Sequence, residues 1–468
     1  MRSQVSITEA VYKAVGGLRY AENPFIEALP PLPEHSMEYV TMVSNRPPVP
    51  DAELRKRGDV IRSTELSTMS DFVYPFLAYA KACKAIDTIL RESYVSRNPI
   101  SRDDKHRRHS IASSTGSLAL PSNWKSSAQG HMILAMTGMG KSTLINAALA
   151  RYDQVIAHTE YNGEHLRCHQ IVYIKLVVPF DGTIRSLCDQ FFQRIDAILG
   201  TNYTRQAKSL RSIAPMVNLM HQVATTCSIG LIVVDELQNL RAAKAAGAEA
   251  LLNLFSDIIE RLGISLIVVG TPAVQKVMAR SVRNIRKLGS DGWTILNPMD
   301  PNSDEWINFT SSLWRYSYVT HHMPLSDTVR RAWFNACGGN TAFAALAFML
   351  AQKHEIGGRE VIDKESFERV IAKDMGFLKP AINALLSGSD TALAMFDDLV
   401  FTEEFKVLQS KMGLAKYDEA PKLVEPAQPD FDEVEAEARR APPKAKKNKP
   451  SNDAAYLVDS SIEDPFVR

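Results

Sequence analysis

Residues 135–143 read AMTGMGKST, after an apolar run and before an amphipathic one. An apolar strand, a turn with glycines and a helix in this order predict a P-loop, which binds phosphate through its backbone. Gly138 and Gly140 let the chain turn tightly, so that several N–H groups can point at one phosphate chain. Ala135 stands where such loops usually begin with glycine. Because alanine fits a strand end, we expect only a small local adjustment; a glycine turn without a ligand is the alternative.

The residues expected to bind a nucleotide lie in this loop and in the first turn of its helix. Lys141 is expected to neutralise the terminal phosphates, Ser142 to offer its hydroxyl to Mg²⁺, and Thr143 to support it. The predicted cofactors are therefore ATP and Mg²⁺. The predicted nucleotide-binding residues are Thr137, Gly138, Met139, Gly140, Lys141, Ser142 and Thr143.

A second motif, Leu231-Ile232-Val233-Val234-Asp235-Glu236, is an apolar run that ends in two carboxylates. Buried parallel strands have this composition, with their functional residues at the carboxyl end. Asp235 is expected to hold Mg²⁺ together with Ser142. Glu236 is expected to orient and deprotonate the water that attacks the terminal phosphate. The alternative is a core strand followed by an ordinary acidic helix N-terminus.

Thr271 and three arginines complete the predicted catalytic set. Thr271 follows an apolar strand and is expected to contact the terminal phosphate, although the Gly-Thr-Pro sequence around it also suits a simple turn. Arg280, Arg283 and Arg286 recur at helical spacing. A guanidinium that reaches the site of a neighbouring subunit would stabilise transition-state charge. A solvated helix face and contact with DNA are the other interpretations.

Composition narrows the classes of function. The chain has 468 residues, which favours two or three domains, and a net charge of +1, so contact with DNA must come from local patches. The five scattered cysteines indicate neither a zinc site nor a disulfide framework. No apolar run is long enough to span a bilayer, and the expected location is the cytoplasm. The candidate DNA-binding residues are Arg185, Arg205, Lys208 and Arg211.

Alternating strand and helix patterns predict an α/β fold, a parallel sheet with helices on both faces. After this α/β region the sequence shows only helical patterns, which indicate a small all-helical lid. Beyond the lid, an acidic block and a basic block with prolines between them predict a disordered C-terminal tail. The predicted divisions are a partner-binding N-terminal extension at 1–70, an ATPase domain at 71–318 with a mobile basic loop at 96–125, a lid at 319–400, and a C-terminal helix and tail at 401–468. Residues 20–31 are expected to run extended on a surface, and His169–Val178 to form one strand.

Together these motifs resemble an AAA+ ATPase of the branch that contains origin-recognition proteins and transposition regulators. The resemblance is carried by the P-loop, the Asp235-Glu236 strand, the Gly-Thr-Pro strand end, the arginine-bearing helix and a lid with Gly338-Gly339-Asn340. Three further features are similar to TnsC, the regulator ATPase of bacterial cut-and-paste transposons with targeted insertion. They are the segment 22–31, the segment 94–99, and Trp306 with Trp314.

The resemblance runs from about residue 20 to residue 400. It implies ATP-dependent assembly into a ring or helical filament on double-stranded DNA, in the bacterial cytoplasm. It also implies contact with a target-selection protein on one side and with the transposase on the other. The chain departs from the family at Ala135, and no clear nucleotide-sensing arginine accompanies Gly338–Asn340. Two other interpretations stay open: a replication-initiator or clamp-loader-like DNA remodeller, and a nucleotide-switched scaffold that does not hydrolyse ATP.

Overall fold

The structure is a computed structural model, and it describes residues 6–15, 18–114, 120–241, 245–274, 278, 282–393 and 396. Arg280 and the predicted C-terminal helix and tail at 401–468 lie outside the described residues. The strands are β1 (Ile7–Glu9), β2 (Gly130–Ala135), β3 (Val155–Tyr161), β4 (Glu164–Ile171), β5 (Tyr173–Val177), β6 (Leu231–Asp235), β7 (Ser265–Gly270) and β8 (Gly292–Leu296). The first helices are α1 (Pro24–Glu27), α2 (Glu38–Val43), α3 (Ala52–Arg55), α4 (Asp59–Glu65), α5 (Leu77–Val95), α6 (Arg102–Ala112) and α7 (Lys141–Leu149). The later ones are α8 (Ile184–Leu199), α9 (Tyr203–Lys208), α10 (Ile213–Thr226), α11 (Ala245–Asp257), α12 (Val282–Leu288), α13 (Asp304–Trp314), α14 (Asp327–Asn335), α15 (Thr341–Glu355), α16 (Lys364–Lys373), α17 (Lys379–Ser387) and α18 (Asp390–Leu393).

Five strands form one parallel sheet in the order β5-β6-β7-β2-β8. Its central strands are continuous apolar runs because both of its faces are covered. Along β6, Leu231 and Val233 pack into one apolar cluster, and Ile232 and Val234 pack into another. β2 and β7 alternate between the same two clusters. The predicted α/β fold, a parallel sheet with helices on both faces, is confirmed.

The carboxyl ends of three neighbouring strands lie at one edge of this sheet. β6 pairs with β7 and β7 pairs with β2, in both cases parallel. Asp235, Gly270 and Ala135 therefore end their strands side by side. Ligands of open α/β sheets bind at this edge. Strand order thus brings the P-loop, the carboxylate pair and the Gly-Thr-Pro turn together, although they are far apart in sequence.

A second sheet, of three strands in the order β1-β3-β4, was missed by the sequence interpretation. β3 and β4 form an antiparallel hairpin around Asn162-Gly163, whose φ angles are 49° and 83°. Asn-Gly is the common sequence of a type I′ hairpin turn. The single strand predicted at His169–Val178 is wrong: β4 ends at Ile171, and β5 begins at Tyr173 in the other sheet. Because apolar residues continue from β4 into β5, the hydrophobic pattern does not reveal that the chain passes there from one sheet to the other.

Residues 20–31 are not an extended surface segment, which corrects that prediction. Asn23 caps α1 through its side chain and donates through Nδ2 to the carbonyl oxygen of Tyr94 at 2.8 Å. Phe25 and Ile26 are completely buried, and α1 packs on α5. Full burial of such a side chain contributes about 1.5–3 kcal/mol. The segment is therefore part of the core, and the partner-binding role of the extension stays a prediction.

A buried ionic network ties this segment to the helix of the P-loop. Asp87 of α5 is completely buried and pairs with Arg91 at 3.2 Å and with Arg151 at 2.7 Å. Arg151, just after α7, also donates to the Pro31 carbonyl at 2.9 Å, and Arg91 donates to the Pro30 carbonyl. One carboxylate thus holds two guanidinium groups, and both of them also bind the N-terminal segment.

The prediction of a mobile basic loop at 96–125 is wrong for the residues described there, because they form ordered structure that includes helix α6. Arg107 is buried and pairs with Asp104 at 2.7 Å. Arg97 is also buried and donates to two backbone carbonyls, each at 2.7 Å. Burial lowers the pKa of Arg97 to about 9. These arginines bind the protein's own backbone and carboxylates because the packing of neighbouring elements buries them, which their charge does not predict.

The described residues after 319 form helices only, α14 to α18, which we call the lid. Trp333 lies completely buried between Phe348 and Phe367, with ring centroids at 4.8 Å and 5.4 Å. Arg62 of α4 donates two hydrogen bonds to Glu360, at 2.6 Å and 2.7 Å. Those hydrogen bonds lower the pKa of the Glu360 carboxyl to about 2. The N-terminal segments thus contact the lid as well as the α/β body.

Candidate nucleotide site

The P-loop joins the end of β2 to the start of α7. Gly138 and Gly140 have φ angles of 86° and 79°, a region that residues with a Cβ atom rarely adopt. A Cβ atom on Gly140 would also lie 2.0 Å from the hydroxyl oxygen of Tyr79. Gly140 is the N-cap of α7, so the positive end of that helix faces the loop. The geometry of an anion site is therefore built into the backbone.

Lys141 and Ala135 are linked directly. The Lys141 amine donates to the carbonyl oxygens of Ala135 at 3.0 Å and of Met136 at 3.3 Å. Ala135 is completely buried at the end of β2, where it pairs with Leu296. Its methyl group packs into the apolar core instead of entering the loop. The absence of the usual glycine therefore leaves the loop intact.

Most of the predicted nucleotide-binding residues share one cavity of about 590 Å³. That volume lies within the range of small-molecule sites. Met139 is an exception: its side chain is buried in the apolar core. The cavity wall includes Thr137, Gly138, Gly140, Lys141, Ser142 and Thr143, and it also includes Glu236 and Thr271.

The two carboxylates occupy different positions. Asp235 ends β6, and its Oδ1 accepts the backbone N–H of Glu236 at 2.8 Å. Glu236 has a φ of 61°, an uncommon value for a residue other than glycine, and its side chain lines the cavity. Strained backbone of this kind is concentrated at functional sites. The sharp turn after β6 thus directs Glu236 toward the P-loop.

Gln238, which the sequence interpretation missed, connects Glu236 with Thr271. Its Nε2 donates to the Glu236 carboxylate, and its Oε1 accepts the backbone N–H of Thr271 at 3.2 Å. Thr271 is buried, and all three residues line the cavity. In the sequence, a role for Gln238 is indicated only by its position two residues after Glu236.

Aromatic rings from two separate parts of the chain form another part of the cavity wall, which the sequence interpretation also missed. Phe76 lies 5.5 Å from Phe309 between ring centroids, and Tyr74 lies 5.6 Å from Phe309. Tyr79 donates its hydroxyl to the Gly140 carbonyl at 3.2 Å, so α5 also supports the loop. The rings offer an apolar surface on which a nucleobase can stack. The residues of this aromatic wall are Phe72, Tyr74, Phe76, Tyr79 and Phe309.

The chemistry of Ser142 and Asp235 fits Mg²⁺. Both side chains offer oxygen, the ligand atom that this ion takes. Among the residues that the structure describes, no group of three His, Cys, Asp or Glu side chains is arranged to hold a metal. Mg²⁺ at nucleotide sites does not need such a group, because phosphate and water oxygens complete its shell.

Two of the three predicted arginines, Arg283 and Arg286, stand apart from this cavity. Arg283 and Arg286 lie on α12 and are exposed, and the Arg283 guanidinium is 4.0 Å from Glu260. The Lys287 amine also pairs with Glu260. Within the described part of the chain, neither arginine lines the cavity wall. A role for them toward phosphate therefore requires the site of another subunit.

Three of the candidate DNA-binding residues lie on helices α8 and α9, which are in contact, and Arg211 lies in the segment between α9 and α10. Arg185, near the start of α8, donates to the Arg211 carbonyl at 3.0 Å. Arg205 and Lys208 are exposed on α9. The structure thus brings Arg185 next to the backbone of Arg211, and contact of the four residues with DNA stays a prediction. None of the helices that the structure describes has the length and apolar character to cross a bilayer.

Comparison with known proteins supports the P-loop ATPase interpretation. Residues 125–278 match the family model of the AAA domain. The predicted P-loop AAA+ fold is confirmed. The match begins before β2 and ends after Thr271, so it includes the P-loop, both carboxylates and Gln238. No curated protein sequence gives a match to this chain.

Several solved structures are similar at low identity. The ORC1 protein of Aeropyrum pernix, solved in complex with DNA, is 16% identical with a TM-score of 0.36, over 62% of this chain and 73% of that one. The Cdc6p protein of Pyrobaculum aerophilum is 11% identical with a TM-score of 0.39, over 68% and 69%. A Walker-type ATPase of Pyrococcus abyssi is 12% identical with a TM-score of 0.34, over 68% and 90%.

Proposed function

We propose that this chain is a TnsC-type AAA+ ATPase. It binds ATP with Mg²⁺, assembles on double-stranded DNA as a ring or filament, and bridges a target-selection protein to the transposase. The observation that carries the nucleotide part of the proposal is the cavity in which Lys141, Ser142, Glu236 and Thr271 meet. A phosphate-binding loop facing a carboxylate is what hydrolysis of a triphosphate requires.

The role in transposition is supported by the TnsC resemblance of two N-terminal segments. These segments are in contact: Asn23 donates to the Tyr94 carbonyl at 2.8 Å, and Asn98 donates to the Glu22 carbonyl at 2.7 Å. Residues that carry the resemblance therefore belong to one packed unit. A shared structural element is a stronger basis for the family proposal than two unrelated sequence matches.

The residues of the cavity, and Asp235 at the end of β6, have distinct roles in the proposed reaction. Lys141 exchanges its carbonyl partners for the terminal phosphates, and Ser142 and Asp235 would hold Mg²⁺, which would supply positive charge to the phosphates when bound. Glu236 orients the attacking water and accepts its proton. Thr271 contacts the terminal phosphate. Gln238 fixes the Glu236 carboxylate relative to Thr271.

Assembly follows from the position of the arginines. Arg283 and Arg286 are exposed and outside their own cavity, so they can approach the phosphates of a neighbouring subunit. Arg280, outside the described residues, is the third candidate for this role. A contact of this kind makes association depend on the terminal phosphate, because only the triphosphate offers that charge. Hydrolysis then dismantles the assembly.

We expect Lys141→Ala to remove nucleotide-dependent assembly. Loss of a hydrogen bond to a charged phosphate costs about 1.5–3 kcal/mol, which lowers nucleotide affinity about 10- to 150-fold. The measurement is the mass of the protein on double-stranded DNA with a non-hydrolysable ATP analogue or with ADP, by light scattering and negative-stain imaging. The wild type should assemble with the analogue and dissociate with ADP.

Lys84→Ala is the matched control, because Lys84 is an exposed lysine whose bonded partner is Ser36. This variant should assemble like the wild type. Rings or filaments that persist with Lys141→Ala would contradict the proposed mechanism. A wild-type chain that stays monomeric with every nucleotide and duplex would contradict the proposed function as a whole. Binding of the assembled protein to purified transposase tests the bridging role.

DNA binding through phosphates predicts a specific salt dependence. The double variant Arg205→Gln with Lys208→Gln should reduce the slope of log affinity against log salt by about 0.9 for each lost phosphate contact. Fluorescence anisotropy with a labelled duplex at four salt concentrations measures this slope. Lys373→Gln, on the exposed surface of the lid, is the control and should leave it unchanged. An unchanged slope in the double variant would exclude α9 as the DNA-binding element.

One observation favours a second candidate function, the nucleotide-switched scaffold. Gln238 donates to the Glu236 carboxylate, so this hydrogen bond competes with the attacking water for the carboxylate oxygens. In that case ATP binding alone would drive assembly, and turnover would be negligible. A DNA remodeller related to initiators or clamp loaders would instead change the twist or strand separation of the duplex. Topology assays on closed circular DNA distinguish that activity from simple assembly.

A further inference from the structure

The first turn of the lid helix α15 is bonded directly to the P-loop. Asn340 is completely buried, and its Nδ2 donates to the Thr137 carbonyl at 2.8 Å. The Thr341 hydroxyl donates to the Gly138 carbonyl at 2.7 Å, and the Ala342 backbone N–H donates to the same oxygen at 2.9 Å. Three donors of one helix end therefore satisfy two consecutive carbonyls of the loop.

Glycine at position 138 makes this approach possible. A Cβ atom there would lie 2.6 Å from the Oδ1 of Asn340, inside contact distance. That same Oδ1 caps α15 by accepting the N–H of Phe343 at 3.2 Å. The side-chain amide of Asn340 thus bonds to the lid through its oxygen and to the P-loop through its nitrogen. The fit leaves no room for a side chain between the two elements.

These bonds fix the direction of the loop's N–H groups. In a trans peptide the C=O and the following N–H point in opposite directions. A Thr137 carbonyl held by the lid therefore turns the Gly138 N–H away from the lid. From the other side, Tyr79 donates to the Met139 and Gly140 carbonyls, at 3.3 Å and 3.2 Å. Lid and α5 together hold four successive carbonyls of the loop.

We propose that Asn340 and Thr341 are positioning residues that couple the lid to the nucleotide. The lid orders the P-loop peptides, and the ordered peptides bind phosphate. This inference rests on the proposed nucleotide site and assigns a coupling between lid and nucleotide for which the sequence offered no clear arginine near Gly338–Asn340. By linkage, the factor by which the docked lid strengthens nucleotide binding equals the factor by which nucleotide strengthens lid docking.

The inference is tested with Thr341→Val, which keeps the shape of the side chain and removes the hydroxyl. A lost neutral hydrogen bond should weaken nucleotide binding about 2- to 10-fold. Fluorescence anisotropy with labelled ATP and ADP gives the dissociation constants. Asn340→Ser is the second variant, because serine still caps the helix but lacks the amide donor. It should weaken binding in the same way.

Hydrogen exchange of the Ala342 amide is the second readout, since a purely structural role would not link it to nucleotide. In the wild type, nucleotide should slow exchange in the peptide that contains Ala342, and in Thr341→Val it should slow it less. Thr226→Val, which removes a similar hydroxyl bond to the Gln222 carbonyl on α10, is the control and should change neither readout.

The outcomes separate the two proposals. Wild-type binding that Lys141→Ala weakens supports the nucleotide site. If Thr341→Val and Asn340→Ser then bind nucleotide like the wild type, or if nucleotide leaves exchange at Ala342 unchanged, the coupling is refuted and the site stands. A wild-type chain that binds no nucleotide refutes both.

Discussion

Replacing Glu236 with Gln is expected to lower the turnover number for ATP hydrolysis by about 100- to 10,000-fold, the usual contribution of a general base. The amide keeps the size of the side chain and an oxygen that can accept the Gln238 hydrogen bond. It cannot take a proton from water. Nucleotide affinity should therefore stay near that of the wild type, and assemblies on DNA should persist because hydrolysis no longer dismantles them.

Phosphate release in the presence of duplex DNA measures turnover, and binding of a labelled nucleotide is measured in parallel. Glu249→Gln, an exposed carboxylate on α11, is the matched control and should hydrolyse ATP normally. Turnover that survives in Glu236→Gln would show that another group activates the water. A wild-type protein that assembles with ATP but shows no turnover would favour the scaffold candidate.

Asp87→Asn is expected to reduce the free energy of unfolding by about 3–5 kcal/mol, because it removes the carboxylate of a buried ion pair. Asp87 also accepts the hydroxyl groups of Tyr39 at 2.7 Å and Tyr152 at 2.8 Å. Without the negative charge of Asp87, Arg91, which is completely buried, and Arg151, which is mostly buried, lose the counter-ion that they share. Urea unfolding followed by tryptophan fluorescence measures the change.

The exposed pair between Lys56 and Glu53, at 3.1 Å, provides the control. Glu53→Gln should cost less than about 1 kcal/mol, because exposed ion pairs contribute little. The Asp87 variant should also become sensitive to proteases near Pro30 and Pro31, whose carbonyls the two arginines hold. A loss of stability no larger than that of Glu53→Gln would mean that the network does not hold the N-terminal segment.

The parts of the fold that the sequence predicts are those with a local physical cause. β6 and β7 are predictable because a strand covered on both faces must be apolar throughout. The hairpin of β3 and β4 carried a usable signal in Asn162-Gly163, which the interpretation passed over. The burial of Phe25 had no such signal, because neighbouring prolines suit an extended segment equally well.

The candidate site divides in the same way. Gly140, Lys141 and Glu236 are predictable because each lies in a strand-turn motif that is continuous in sequence. Gln238 was missed, and Asn340 was noted only as part of the family resemblance, because the roles of both residues depend on which elements meet in three dimensions. The charges of the region at 96–125 were misleading, since charge alone does not distinguish an arginine in solvent from one that packing surrounds with carbonyls.

The aromatic wall bears on how the chain can be truncated for experiments. The AAA match starts at residue 125, yet Phe76 and Tyr79 precede it and line the cavity. α5, which carries Tyr79, also packs on β2, β7 and β8. A protein trimmed to 125–278 would lose the aromatic wall and would expose apolar side chains of its central strands to solvent. This truncated protein should aggregate. A lack of ATPase activity in it would therefore not show that the chain with α5 and the aromatic wall lacks that activity.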